Sequence, residues 1–121
     1  MTTPYRVLVV DDDENLSQIM AETLIAAGYE VQTADDGLHG YLRYLEQQPE
    51  IVLTDIQMPE LDGLEMMRCI RAINPNVKAI YISAAISQYR EALLSEGKEY
   101  GALVLDKPFS RNDLLDLMNV R

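Results

Sequence analysis

Five short apolar runs recur along the chain, and each is separated from the next by a helical pattern. The runs are Arg6–Val10, Tyr29–Thr33, Ile51–Thr54, Lys78–Ile82 and Ala102–Leu105. They are rich in β-branched residues and carry few charges inside, as strands covered on both faces should. Between them, apolar residues return at helical spacing. Leu16, Ile19, Met20, Thr23, Leu24 and Ala27 form the first stripe, which Gly28 ends. Leu38, Tyr41, Leu42 and Leu45 form a second that stops before Pro49, and Met66, Ile70 and Ile73 a third that stops before Pro75. Ile86, Tyr89 and Leu93 make a weaker fourth, ending near Gly97, and Leu114, Leu117 and Met118 a short fifth. Strand and helix alternating in this way predict an α/β fold, a doubly wound parallel sheet of five strands flanked by five helices. Right-handed crossovers leave few topologies open.

The first run ends abruptly in Asp11-Asp12-Asp13. Carboxylates at the end of a buried strand repel one another and resist leaving water together. They are stable there only beside a divalent cation, a cationic side chain or open solvent. In an open parallel sheet, functional side chains collect beyond the carboxyl ends of the strands. The third run ends in Asp55, the fourth in Ser83 and the fifth leads into Lys107-Pro108. Carboxylates, a hydroxyl and a lysine suit the handling of a phosphoryl group with Mg2+, a hard ion that takes oxygen ligands. An aspartate can accept the group as an acyl phosphate. A lysine and a cation together offset the charge on its oxygens during in-line transfer.

At 121 residues the chain has room for one domain with a real core. No linker, repeat or low-complexity segment interrupts it, so residues 1–121 read as a single domain. Whether an effector domain follows Arg121 is left open. Twenty acidic residues against ten basic give a net charge of -10, which disfavours nucleic acid and anionic membrane and favours basic partners. No apolar stretch nears the ~20 residues needed to span a bilayer. One cysteine, Cys69, cannot pair internally, and no leader pattern opens the chain, so a cytoplasmic setting is expected.

The set Asp11-Asp12, Asp55, Met58-Pro59, Asp62-Gly63, Ser83-Ala84 and Lys107-Pro108-Phe109 resembles the signature of the response-regulator receiver domain, in order and spacing over nearly the whole chain. The resemblance implies the flavodoxin-like strand order 2-1-3-4-5, of which a chemotaxis receiver is a standing example. It implies a phosphoacceptor switch of two-component signalling, in which Asp55 takes a phosphoryl group from a sensor histidine kinase or a histidine phosphotransfer protein. Asp12 resembles the direct Mg2+ ligand and Asp11 its neighbour acting largely through water. Asp55 and the backbone carbonyl of Gln57 complete the protein's share, and Mn2+ can substitute. Lys107 would contact the phosphoryl oxygens, and the Ser83 hydroxyl would turn to them. The Lys107–Pro108 bond is cis in the family. Output would run through the fourth helix, fifth strand and fifth helix to an effector domain or a downstream protein. Such a module is not a turnover enzyme and dephosphorylates itself slowly at most.

The family carries an aromatic ring three residues before its strand-end lysine, where this chain has Val104. Transmission would then rest on Ser83 and the segment 83–89 rather than on a rotating ring. Other residues read more plainly. Asp13 suits a helix cap and Glu14 its first turn. His39, with no carboxylate or cysteine at ligand spacing in this reading, is expected to be an exposed residue of the second helix. Cys69 is a small apolar residue of the third helix, and the six methionines fall at helical spacing as core or half-buried surface rather than a binding groove. Asp11, Asp13, Asn15 and Glu22 fit an EF-hand loop by position, but Leu16 stands where the turn needs glycine. An enzyme alternative is an aspartate phosphatase of the haloacid dehalogenase type, with Asp11 attacking and Asp13 as acid. Asn15 departs from that motif. A receiver-like module that binds partners without phosphorylation is the third reading.

Overall fold

A computed structural model describes residues 5–119. Five parallel strands form one sheet in the order β2-β1-β3-β4-β5, as expected. They are β1 (Arg6–Val10), β2 (Glu30–Ala34), β3 (Ile51–Asp55), β4 (Lys78–Ser83) and β5 (Leu103–Asp106). The helices are α1 (Glu14–Ala26), α2 (Gly37–Gln47), α3 (Gly63–Ile73), α4 (Arg90–Tyr100) and α5 (Arg111–Met118). A 3₁₀ turn over Ile86–Tyr89 leads into α4. The ends of the expected domain, residues 1–4 and 120–121, lie outside the described residues.

Both faces of the central strands are buried, and alternate residues belong to two separate cores. Val7, Val9, Leu53, Ile80 and Ile82 pack with Met20 and Leu24 of α1 and Leu114 and Met118 of α5. Leu8, Val10, Val52 and Tyr81 pack with Tyr44 of α2, Met66 and Ile70 of α3 and Leu93 of α4. The continuous apolar runs follow from this two-sided burial. At the edge of the sheet, β2 is mostly exposed, and both it and β5 start one residue later than the sequence indicates.

The α2 stripe corrects the sequence reading. Leu38, Leu42 and Leu45 are exposed, and the helix instead buries Gly37, Gly40 and Tyr44. A Cβ on Gly40 would stand 2.6 Å from Met66 Sδ and 3.0 Å from Val10 Cγ2. Close approach of the helix backbone to β1 and α3 therefore requires the smallest residue, and the leucines turn outward. Ile19 of α1 and Ile73 of α3 are also exposed. The fourth stripe is divided, since Ile86 and Tyr89 fall in the 3₁₀ turn and Leu93 alone of the three lies in α4. That helix continues through Gly97 to Tyr100, where Gly101 in the left-handed region caps it. Asp13 caps α1, accepting from the N–H groups of Asn15 and Leu16, and Cys69 is exposed on α3.

Candidate phosphoryl-acceptor site

Parallel strands bring their carboxyl ends to one edge, and β1, β3 and β5 deliver charged groups there. Asp11 directly follows β1, its N–H still donating to Ala34 O of β2 at 3.1 Å. The residue is 1% exposed. Asp11 Oδ1 accepts from the Asp13 N–H at 2.9 Å, while Oδ2 has no hydrogen bond. Asp55 ends β3, and its Oδ1 accepts from the Ile56 N–H at 2.8 Å. Lys107, just past β5, places Nζ 3.3 Å from Asp11 Oδ2 and 3.4 Å from Asp55 Oδ2. The first of these is an ion pair without hydrogen-bond alignment. Asp12 is exposed, yet carboxylate oxygens of Asp11, Asp12 and Asp55 all lie within 4.8 Å of one another.

The arrangement is short of positive charge. Burial raises the Asp11 carboxyl above its ordinary range, an effect only partly offset by the Asp13 N–H and by Lys107. Burial also raises Asp55, with Asp11 adding to it and Lys107 opposing. Burial works against the Lys107 ammonium, but Asp11 and Asp55 outweigh it and hold the lysine charged. One ammonium thus serves two buried carboxylates, leaving Asp11 Oδ2 without a donor. One buried carboxylate oxygen without a hydrogen bond, with oxygens of Asp12 and Asp55 within 4.8 Å, fits a hard divalent cation.

Ser83 ends β4 and is 2% exposed. Its Oγ accepts from the Ala85 N–H at 2.9 Å, so the hydroxyl stands outside the ion-paired group. Lys107 N–H donates to Ser83 O at 3.0 Å, tying β5 to β4 beside the site. The Lys107–Pro108 peptide is cis. Gln57 lies in the turn after β3, and its side-chain amide donates to Gln88 Oε1 at 3.4 Å. Asp13 is committed to the α1 cap rather than to the carboxylates.

Two features escaped the sequence reading. A Cβ on Gly63 would sit 2.1 Å from the Asp55 carbonyl oxygen, so this residue lets the start of α3 press against the end of β3. The Asp62-Gly63 pair marked the position without its role. His39 is exposed as expected, but carboxylates do stand near it: Nδ1 lies 2.7 Å from Asp36 Oδ2 and 3.8 Å from Asp35 Oδ1. These lie three and four positions earlier, spacings that a helix brings together.

The family model described as "Response regulator receiver domain" matches residues 7–119. The chain belongs to the response-regulator receiver family. It is 37% identical over 118 residues to the chemotaxis protein CheY of Treponema pallidum, covering 93% of this chain and 79% of that protein. It is 38% identical over 112 residues to the transcriptional regulatory protein YrkP of Bacillus subtilis, covering 91% of this chain but only 46% of YrkP. Among solved structures, the receiver domain of sensor histidine kinase PA1611 from Pseudomonas aeruginosa aligns with a TM-score of 0.82 at 28% identity, covering 96% of this receiver and 95% of that chain. That structure has a magnesium ion coordinated in its active-site cleft. Among the described residues, no helix of this receiver is long and apolar enough to cross a membrane.

Proposed function

We propose that the protein is a phosphoacceptor switch in which Asp55 takes a phosphoryl group from a phosphohistidine. The donor would be a sensor histidine kinase or a histidine phosphotransfer protein in the cytoplasm. A carboxylate oxygen of Asp55 attacks phosphorus, the P–N bond breaks, and its electron pair returns to the departing imidazole. The observation that carries this reading is the under-neutralised group in which one ammonium faces Asp11 and Asp55 at 3.3 and 3.4 Å. Asp11, Asp12, Asp55 and the Gln57 carbonyl would hold Mg2+, or Mn2+ in its place. Bound there, the ion would supply charge opposite the phosphoryl oxygens. Lys107 neutralises those oxygens from the other side, and the Ser83 hydroxyl leaves Ala85 to hydrogen-bond one of them. The changed surface lies on α4, β5 and α5, where an effector domain or a downstream protein would read it. Residues 1–121 would form one receiver domain that dephosphorylates itself slowly and turns over no substrate. Its net charge of -10 argues against direct contact with nucleic acid.

The haloacid dehalogenase reading loses support because its acid, Asp13, is occupied by two backbone N–H groups of α1. Incubation with Mg2+ and acetyl phosphate, read by intact mass, tests the proposal. The wild type should gain one phosphate, and Asp55→Asn should gain none. Phosphate release over many turnovers that survives Asp55→Asn but not Asp11→Asn would establish the hydrolase instead. No labelling of any form would leave a receiver that binds partners without phosphorylation.

A further inference from the structure

Tyr81 sits in the middle of β4 and is fully buried. Its Cα partner on β5 is Val104. It also precedes Ser83 by two residues, so the two side chains leave the same face of the strand. The phenol donates to Glu96 Oε1 of α4 at 2.5 Å. The same oxygen accepts from Arg71 Nη2 at 3.0 Å and Nε at 3.3 Å. Arg71 Nη1 donates to Val77 O at 2.7 Å, and the guanidinium lies 3.9 Å from the centroid of the Tyr100 ring. One carboxylate oxygen thereby joins α3, β4 and α4.

This junction matters because α4 is otherwise lightly held. Leu93 is its one buried side chain among the described residues, and no side chain caps its N-terminus. The helix begins where the 3₁₀ turn after Ser83 ends. So β4 holds α4 twice: through Ser83, whose Oγ fixes the leading segment at Ala85, and through Tyr81, which grips the helix at Glu96. Burial, reinforced by Glu96, drives the phenol far above its ordinary range, so it is a donor at any physiological pH.

We infer that Tyr81 is the positioning residue that couples Asp55 to α4: its bond to Glu96 holds α4 in the arrangement where Ser83 faces Ala85, and this bond must loosen for α4 to answer an acyl phosphate. The inference rests on the phosphoacceptor reading and adds its regulation. It assigns to a buried tyrosine on β4 the coupling that Val104, an aliphatic residue, cannot provide from β5.

Tyr81→Phe keeps the ring and removes only the donor, so the core should remain filled. Two measurements on the full chain test the inference, acetyl phosphate labelling rate and amide hydrogen exchange. Tyr81→Phe should raise exchange across residues 90–100 while leaving β1 and β3 protected. It should also speed labelling by up to about tenfold, the shift expected when a hydrogen bond to a charged group no longer favours one arrangement. Glu96→Ala, which removes the acceptor, should act in the same direction, and the double variant should label no faster than the faster single one, because the Tyr81 hydroxyl holds nothing once Glu96 Oε1 is gone. Faster exchange in α4 with labelling unchanged would reduce the bond to a structural contact and overturn the coupling. Unchanged exchange would overturn it as well. A wild type that takes no label would remove the phosphoacceptor reading, and the coupling with it, even if exchange showed that the bond restrains α4.

Discussion

Among the described residues, charge is buried in two places and treated oppositely. Between α3, β4 and α4, Glu96 Oε1 receives Arg71 and Tyr81, and Arg71 spends its remaining reach on Val77 O. At the strand ends, Asp11 and Asp55 share one lysine, and Asp11 Oδ2 lacks any hydrogen bond. The first group is complete and serves as a contact. The second is incomplete, and under the proposed function that shortage of positive charge would equip it to take up a cation and a phosphoryl group. Buried charge with every partner present fastens elements together, whereas buried charge with a partner missing marks a site.

This contrast gives the two groups stability effects of opposite sign. Arg71→Ala should cost about 3 kcal/mol, because it strips the Val77 carbonyl of its side-chain donor and leaves the Glu96 carboxylate without its cation, held by Tyr81 alone. Urea unfolding should show a lower midpoint with an unchanged slope. Asp55→Asn, in metal-free buffer, should stabilise the fold by about 1 kcal/mol, the usual return from relieving a functional site. The pH dependence follows from the direction of the shifts. Asp11 and Asp55 hold their protons to higher pH folded than unfolded. Their contribution is therefore fully present below the ordinary carboxylate range and is lost as pH rises through the raised values. The gain from Asp55→Asn should accordingly be larger at neutral pH than in mild acid, and a gain independent of pH would contradict the shared-lysine picture.

The smallest effect belongs to an exposed pair that lies in neither group. The hydrogen bond that His39 Nδ1–H donates to the Asp36 carboxylate raises the imidazole above its ordinary value. Stability from this pair is present below the unfolded histidine value and fades as pH rises through the folded one. An NMR titration should find the His39 value elevated, and Asp36→Asn should lower it while keeping a competent cap on α2.

The strand-end site was legible because each member follows an apolar run that announces its own strand. A parallel sheet then brings those ends to one edge without further information. The clasp was not legible in this way. Arg71 and Glu96 are 25 positions apart and Tyr81 and Glu96 15, and no local periodicity links them. The facing of α2 was misread for a different reason. Hydropathy assigns contact to Leu38, Leu42 and Leu45, but Gly37 and Gly40 make the contact through backbone. Gly97 looked like a helix stop, yet the chain stays helical there until the left-handed Gly101. Asp35 and Asp36, one turn before His39, become its neighbours only once α2 winds.

Lys107 and Asp55, paired at 3.4 Å, are 52 positions apart, and Asp11 directly follows the first strand. The reactive group therefore exists only when the opening strand, the middle of the sheet and the closing strand have all docked in register. A chain still emerging from the ribosome, or one clipped before β5, contains Asp55 but lacks its lysine. Under the proposed function, assembly would thus be a precondition for signalling, and the same contacts that finish the fold would certify the molecule as fit to carry a message.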